Sequence, residues 1–425
     1  MNHASLNVFL EAKPLYYKEI DHERVHVAFG MLKPHIRQPR TVHIVGTNGK
    51  GSTGRMVAHL AYKSGISVGH YTSPHIMKFN ERIWIDGFDS SNEVLEVAHK
   101  RLFEIIGQKM SDALSYFEYT TLLAFVVFEN CDLMVLEAGL GGEFDATNVC
   151  DKELSIITPI GIDHQAFLGE TIEEIASTKI RSIQNQVLLA PQPYDEVIEV
   201  AKEIALEKNA EFLLSSGVET SVPPTLCNLA LSGTEVSTPI CESLQKIAKE
   251  KGWGKYLIDN VSVALQALDI LDISYDINNL KSLELFGRFY ALTENIRIDV
   301  GHNPLAARAI EEVIDREVVL IYNSLDDKDY EEVLRILKPK VKRVEIITIH
   351  SQRATTLSEI EKALKNVELE YGYFEGKIDK DEHYLVFGSF YVVEEFLKSF
   401  PSEGSGNETN RWLSLPKSKR ENVPK

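Results

Sequence analysis

Short apolar runs alternate with segments of helical period along most of the chain. Val42–Val45 is strand-like and ends at Gly46, and from Ser52 to Ser64 the residues Met56, Val57, Leu60 and Ala61 recur at helical spacing. Asp132–Glu137 and Leu154–Ile160 are two further buried-strand runs, each followed by a polar loop bearing glycine or aspartate. This alternation predicts an α/β sheet with helices packed on its faces. Ligands in open sheets of this kind bind beyond the carboxyl ends of the strands, so the loops after Val45, Glu137 and Ile160 are where chemistry is expected.

A second block begins near Phe286. Strands are expected there at Val318–Tyr322, Arg343–Thr348 and Tyr384–Phe387, with helices at Pro304–Asp315 and Tyr330–Leu337 between them. Residues 270–286 read as the connection. Pro401–Lys425 is rich in Ser, Gly, Asn, Lys and Pro and has no period, so a disordered tail is expected. The reading divides the chain into 1–280, 287–400 and 401–425.

A length of 425 residues agrees, being too much for one core. The apolar share of 44% and charged share of 25% are those of an ordinary globular protein. No run approaches the roughly 18 apolar residues of a membrane span. Met1–Lys13 lacks the basic-then-apolar pattern of a signal, so a cytoplasmic protein is expected; a monomer is expected as well. Cys131, Cys150, Cys227 and Cys241 show no paired metal spacing and read as incidental thiols in a reducing compartment. The net charge of −18 argues against nucleic-acid or anionic-membrane partners. An anionic substrate would need local cations or a metal to offset that field.

The strongest candidate chemistry is Gly46-Thr47-Asn48-Gly49-Lys50-Gly51-Ser52, between a strand and a helix. Glycines let backbone N–H groups turn toward phosphate oxygens, and the helix N-terminus adds partial positive charge. Lys50 can reach the β- and γ-phosphates, and Ser52 can face them or their metal. The spacing departs from the common phosphate loop: Ile44 stands where its first glycine would be, and Gly51 separates Lys50 from Ser52. Magnesium prefers oxygen ligands, which ranks Glu137 first, the Ser73 hydroxyl second and His164 third as candidates. The alternatives are a structural hydrogen-bonding role for Glu137 and a cap by His164 on the helix near Thr171.

GTNGKGS, TSPH, LEAGLGGEFDATN, IGIDHQAFLGETIEEIA and the later GRF…DVGHNPLAA follow one another from about residue 42 to 390. Together they resemble the folylpolyglutamate synthase/dihydrofolate synthase family, a branch of the Mur-type amide ligases. The resemblance implies a phosphate-loop domain of mostly parallel sheet followed by a smaller Rossmann-like α/β domain. It also implies a reaction. ATP, with one or two Mg2+ ions, would phosphorylate the carboxylate of dihydropteroate or a reduced folate, and the amine of L-glutamate would attack the acyl phosphate. The alternatives are a Mur-type ligase with another acceptor and an inactive nucleotide-binding module.

By position, Ser73, Glu137 and His164 match the family's metal ligands, and Lys179 its carbamylated lysine. Thr47, Asn48, Gly49, Lys50, Gly51 and Ser52 would hold the phosphates. Asn260, Arg288 and Asp299 would hold the rest of the nucleotide, and His302 would stand near the phosphates. Ser115, Tyr116, Phe117 and Glu118, with Phe144, Asp145 and Ala146, match pterin-contacting segments, while Tyr17–Ile20 align poorly with part of the pteroate site. The chain departs from the pattern at Thr178 and Ile180 around Lys179, at Tyr256-Leu257, and at Glu143. Arg82 has two readings, a contact to the acyl phosphate or a charge pair with Glu81. The run Asp326-Asp327-Lys328-Asp329 reads first as a helix start. ATP is expected between the two blocks, touching Lys50 on one and Arg288 and Asp299 on the other.

Overall fold

A computed structural model describes residues 4–14, 21–215, 230–231, 234–235 and 238–400. The expected 401–425 tail and the Tyr17–Ile20 segment lie outside these. Eight strands form the first sheet: β1 Arg40–Val45, β2 Val68–Tyr71, β3 Ile83–Ile85, β4 Phe88–Asp89, β5 Leu133–Glu137, β6 Leu154–Ile157, β7 Gln186–Leu189 and β8 Glu211–Leu214. Their order is β4-β3-β2-β5-β1-β6-β7-β8. In that order β2, β5, β1, β6, β7 and β8 run parallel, while β3 is antiparallel to both β2 and β4.

Helices on both faces explain why the central strands are apolar without alternation. Helix Lys50–Lys63 and helix Lys255–Ile270 cover one face through Met56, Val57, Leu60, Val261, Ala264 and Leu268. Helix Tyr116–Phe128 lies on the other, sandwiched beneath helix Asn92–Ala113, so it is apolar almost all round. A short ladder, β9 Ala230–Leu231 with β10 Thr234–Glu235, precedes the connection.

The second sheet contains β11 Tyr290–Ala291, β12 Ile296–Ile298, β13 Val318–Tyr322, β14 Val341–Ile346, β15 Tyr371–Tyr373 and β16 Tyr384–Phe387, in the order β11-β12-β16-β13-β14-β15. The chain therefore has two α/β domains, as its apolar pattern predicts. β13, β16 and helix Tyr330–Leu337 fall where the sequence puts them. Other boundaries differ. β6 stops at Ile157 rather than Ile160, because Pro159 has no N–H to continue a ladder, and its carbonyl instead accepts from Thr47 and Asn48. Helix Pro304–Glu311 ends four residues short of Asp315. β14 is Val341–Ile346 instead of Arg343–Thr348. Among the described residues no helix is long and apolar enough to cross a membrane.

Candidate active site

The phosphate loop joins β1 to helix Lys50–Lys63, and two of its glycines are required by space and by backbone angle. Gly46 has φ +145°, and a Cβ there would fall 2.0 Å from Thr158 Oγ1. Gly49 has φ +87° and lies against Asn260. Lys50 Nζ folds back onto the carbonyls of Gly46 and Thr47, 3.1 Å from each. Lys179 Nζ reaches the same Gly46 carbonyl, also at 3.1 Å. Two ammonium groups thus converge on one oxygen. Burial lowers both: Lys50 falls below its usual range, and Lys179 falls to about 7, with Lys50 as the second cause.

Ser52 does not face open space in this arrangement. Its hydroxyl donates to Gly49 O and accepts from Asn260 Nδ2 at 2.9 Å. Asn260 therefore braces the phosphate loop itself. Arg288 comes from the second domain to the opposite side of the loop, its guanidinium 5.4 Å from the Phe390 ring centre. A Cβ on Gly51 would meet Glu137, Thr72 and Arg288 at 3.2 to 3.5 Å, so these three surround the first helical turn. Asp299 is buried and accepts from the amides of Phe289 and Gly301, pinning the loops on either side of Arg288 and His302.

Among the described residues, no three His, Cys, Asp or Glu side chains converge as a metal site. Glu137 and Ser73 do belong together: Glu137 Oε2 accepts from the Thr72 hydroxyl and from Ser73 N. Carboxylate and hydroxyl oxygens at the mouth of the phosphate loop suit magnesium. His164 fits less well. Its Nε2 lies 3.4 Å from Lys328 Nζ, and burial depresses the imidazole to about 4. Nor does it cap the helix after Thr171, because Thr171 and Glu174 form that capping box themselves.

The acceptor-side segments divide in the same way. Ser115 and Glu118 form the capping box of helix Tyr116–Phe128, and Glu118 also binds Arg24 through both oxygens, so these two are structural here. Asp145 turns inward, accepting from the amides of Gly139, Leu140 and Thr147. These bonds shape the glycine loop, and Ala146 is buried beside Asp145. Phe117 packs on Gly139, and Phe144 is exposed with its ring 4.3 Å from that of His22. Phe144 and Tyr116 remain available to a ligand.

Asp163 was missed as a site residue. Its carboxylate meets Lys328 Nζ at 2.6 Å, Asn303 Nδ2 at 3.3 Å and His302 Nε2 at 3.7 Å. Burial alone would raise Asp163, yet His302, His164 and Lys328 hold it far below the carboxylate range. Asn48 and Asn303 exchange two amide hydrogen bonds of 3.0 Å across the same cleft. Asp329 does start a helix as read, while its neighbour Lys328 is buried in the cleft. The signal was present as Asp163 beside His164 and as a lone lysine among aspartates, but sequence cannot pair residues 165 positions apart.

No family model matches the chain. A dihydrofolate synthase/folylpolyglutamate synthase of Buchnera aphidicola is 30% identical over 380 residues, covering 83% of this chain and 86% of that protein. The solved folylpolyglutamate synthetase of Helicobacter pylori is 37% identical and superposes with a TM-score of 0.72 over 93% of this chain and 97% of that one. A bifunctional folylpolyglutamate synthase/dihydrofolate synthase solved with Mn, AMPPNP and L-glutamate is 25% identical, with a TM-score of 0.72 over 92% and 96% of the two chains. The chain belongs to the dihydrofolate synthase/folylpolyglutamate synthase family.

Proposed function

We propose that this chain is an ATP-dependent ligase that adds L-glutamate to the carboxylate of dihydropteroate, of a reduced folate, or of both, through an acyl phosphate. The observation that carries the reading is the convergence of Lys50 and Lys179 on the Gly46 carbonyl, with Arg288 facing the same loop from the second domain. Three cations around one phosphate loop give an acidic chain the local field that a nucleotide needs.

Lys50 and the amides of Thr47–Ser52 would orient the β- and γ-phosphates, leaving the γ-phosphorus open to the acceptor carboxylate. Glu137 and Ser73 would hold a magnesium ion, which when bound neutralises charge on the transferring phosphoryl group. His164 would join them only with Lys328 displaced. His302 and Asn303, fixed by Asp163 and Asn48, would close the cleft against water from the second domain. A Lys179 amine that is about half neutral near pH 7 is also nucleophilic enough to add to carbon dioxide. The nitrogen would bond the carbon and release a proton, turning a cation into an oxygen-bearing anion. Mass spectrometry of the native protein in bicarbonate, with a gain of one carbon dioxide lost on acidification, tests that modification.

The activity is tested by ADP release from Mg-ATP and L-glutamate with dihydropteroate or tetrahydrofolate as acceptor. Turnover with both means a bifunctional enzyme, and turnover with tetrahydrofolate alone restricts it to chain extension. Absence of glutamate-dependent turnover with either refutes the folate reading.

A further inference from the structure

Among the described residues most arginines of this acidic chain lie against a carboxylate, but Arg82 does not. Its side chain is buried, yet it has no ion pair among the described residues. Glu81, the obvious candidate, is occupied: its carboxylate accepts from the amides of Ile76, Met77 and Lys78 at 2.7 to 2.9 Å. Arg82 instead donates from Nε to His75 Nδ1 at 2.8 Å, and its guanidinium lies 5.3 Å from the Tyr116 ring centre. Both contacts orient the side chain without cancelling its charge. A ring nitrogen that accepts from an arginine is unprotonated, and an aromatic face is neutral. The two terminal nitrogens have no hydrogen-bond partner among the described residues, and neither is sealed from solvent.

The place of this group matters as much as its free charge. Arg82 O accepts from Thr72 N at 2.9 Å, and the Thr72 hydroxyl binds Glu137 at the mouth of the phosphate loop. On its other side stands Tyr116, whose neighbour Phe117 packs on Gly139 of the loop after β5. Arg82 therefore joins the nucleotide rim to the segment proposed for the acceptor. A planar fork of donors, pre-oriented and uncompensated, is suited to bidentate binding of a carboxylate.

We propose that Arg82 receives the acceptor's carboxylate, holding it beside the phosphate loop, and that His75 and Tyr116 are the residues that position it. The assignment rests on the ligase reading above. The full chain is compared with Arg82→Gln and Arg82→Lys in steady-state turnover, ADP calorimetry and thermal melting. The acceptor KM, measured with tetrahydrofolate, is expected to rise about 10- to 100-fold in Arg82→Gln, the range for a lost charge-assisted contact. It should rise less in Arg82→Lys, with ADP affinity within about twofold in both. Millimolar guanidinium should restore part of the acceptor affinity to Arg82→Ala. An unchanged acceptor KM overturns the assignment, whether or not the melting temperature falls. A rise confined to the glutamate KM overturns it equally. If Arg82→Gln does not fold, Arg82→Lys carries the same test. A wild-type chain that binds ADP but never turns over refutes the ligase reading and this assignment with it.

Discussion

Replacing Lys179 by methionine should stabilise the unliganded protein while abolishing turnover. Lys179 is 4% exposed, and burial with Lys50 nearby lowers its ammonium from 10.5 to about 7. At about 1.4 kcal/mol for each tenfold change in proton affinity, holding the protonated form in the fold costs roughly 5 kcal/mol. Methionine has nearly the same volume and no charge. It forfeits one charge-assisted hydrogen bond to Gly46 O, a loss of about 1.5–3 kcal/mol. The expected net gain is about 2–3 kcal/mol at pH 7 in buffer free of bicarbonate. The folded value lies below the unfolded one, so between pH 7 and about 10 the unfolded chain binds more protons. Wild-type stability therefore gains from this group as pH rises through that window. The advantage of Lys179→Met should shrink over the same interval. Urea denaturation followed by tryptophan fluorescence at pH 7, 8, 9 and 10 measures the gap. A variant less stable than wild type at pH 7, or a gap independent of pH, would refute the reasoning.

Lys328→Met should destabilise by about 3 kcal/mol because it strands Asp163 in the cleft, and adding Asp163→Asn should recover more than half, as a double-mutant cycle in denaturant would reveal. Gly142→Ala should cost turnover and stability together, since its Cβ would sit 2.2 Å from the Lys179 carbonyl; a variant with wild-type kinetics would contradict the packing described. Arg288→Ala should weaken ATP binding about tenfold by calorimetry, and an unchanged affinity would place the nucleotide elsewhere.

Where sequence spacing is local, the structure follows from it. A strand, a glycine turn and a helix start are encoded within a dozen residues, so the phosphate loop and β13 were legible in outline. Tyr330–Leu337 was likewise marked by Asp329 at its start. Roles that depend on direction were not. Asp145 and Ser115 stand in motifs that suggest ligand contact, yet each has a backbone amide within three residues to satisfy first. The Arg82–Glu81 pair failed for a similar reason, because Glu81 serves three amides of its own loop. The cleft was hidden for another reason. Asp163 with Lys328 and Asn48 with Asn303 are pairings between distant segments, which hydrophobic periodicity does not carry.

Those two pairings also limit how the gene can be cut and recombined. A fragment ending near residue 286 keeps the whole glycine loop but loses Lys328, His302 and Asn303, leaving the Asp163 carboxylate with no counter-cation from beyond the cut. A chimera that imports the second sheet from a relative inherits activity only if an amide at 303 and an ammonium at 328 arrive together. A substitution on either side of the cleft therefore meets its consequence on the other side.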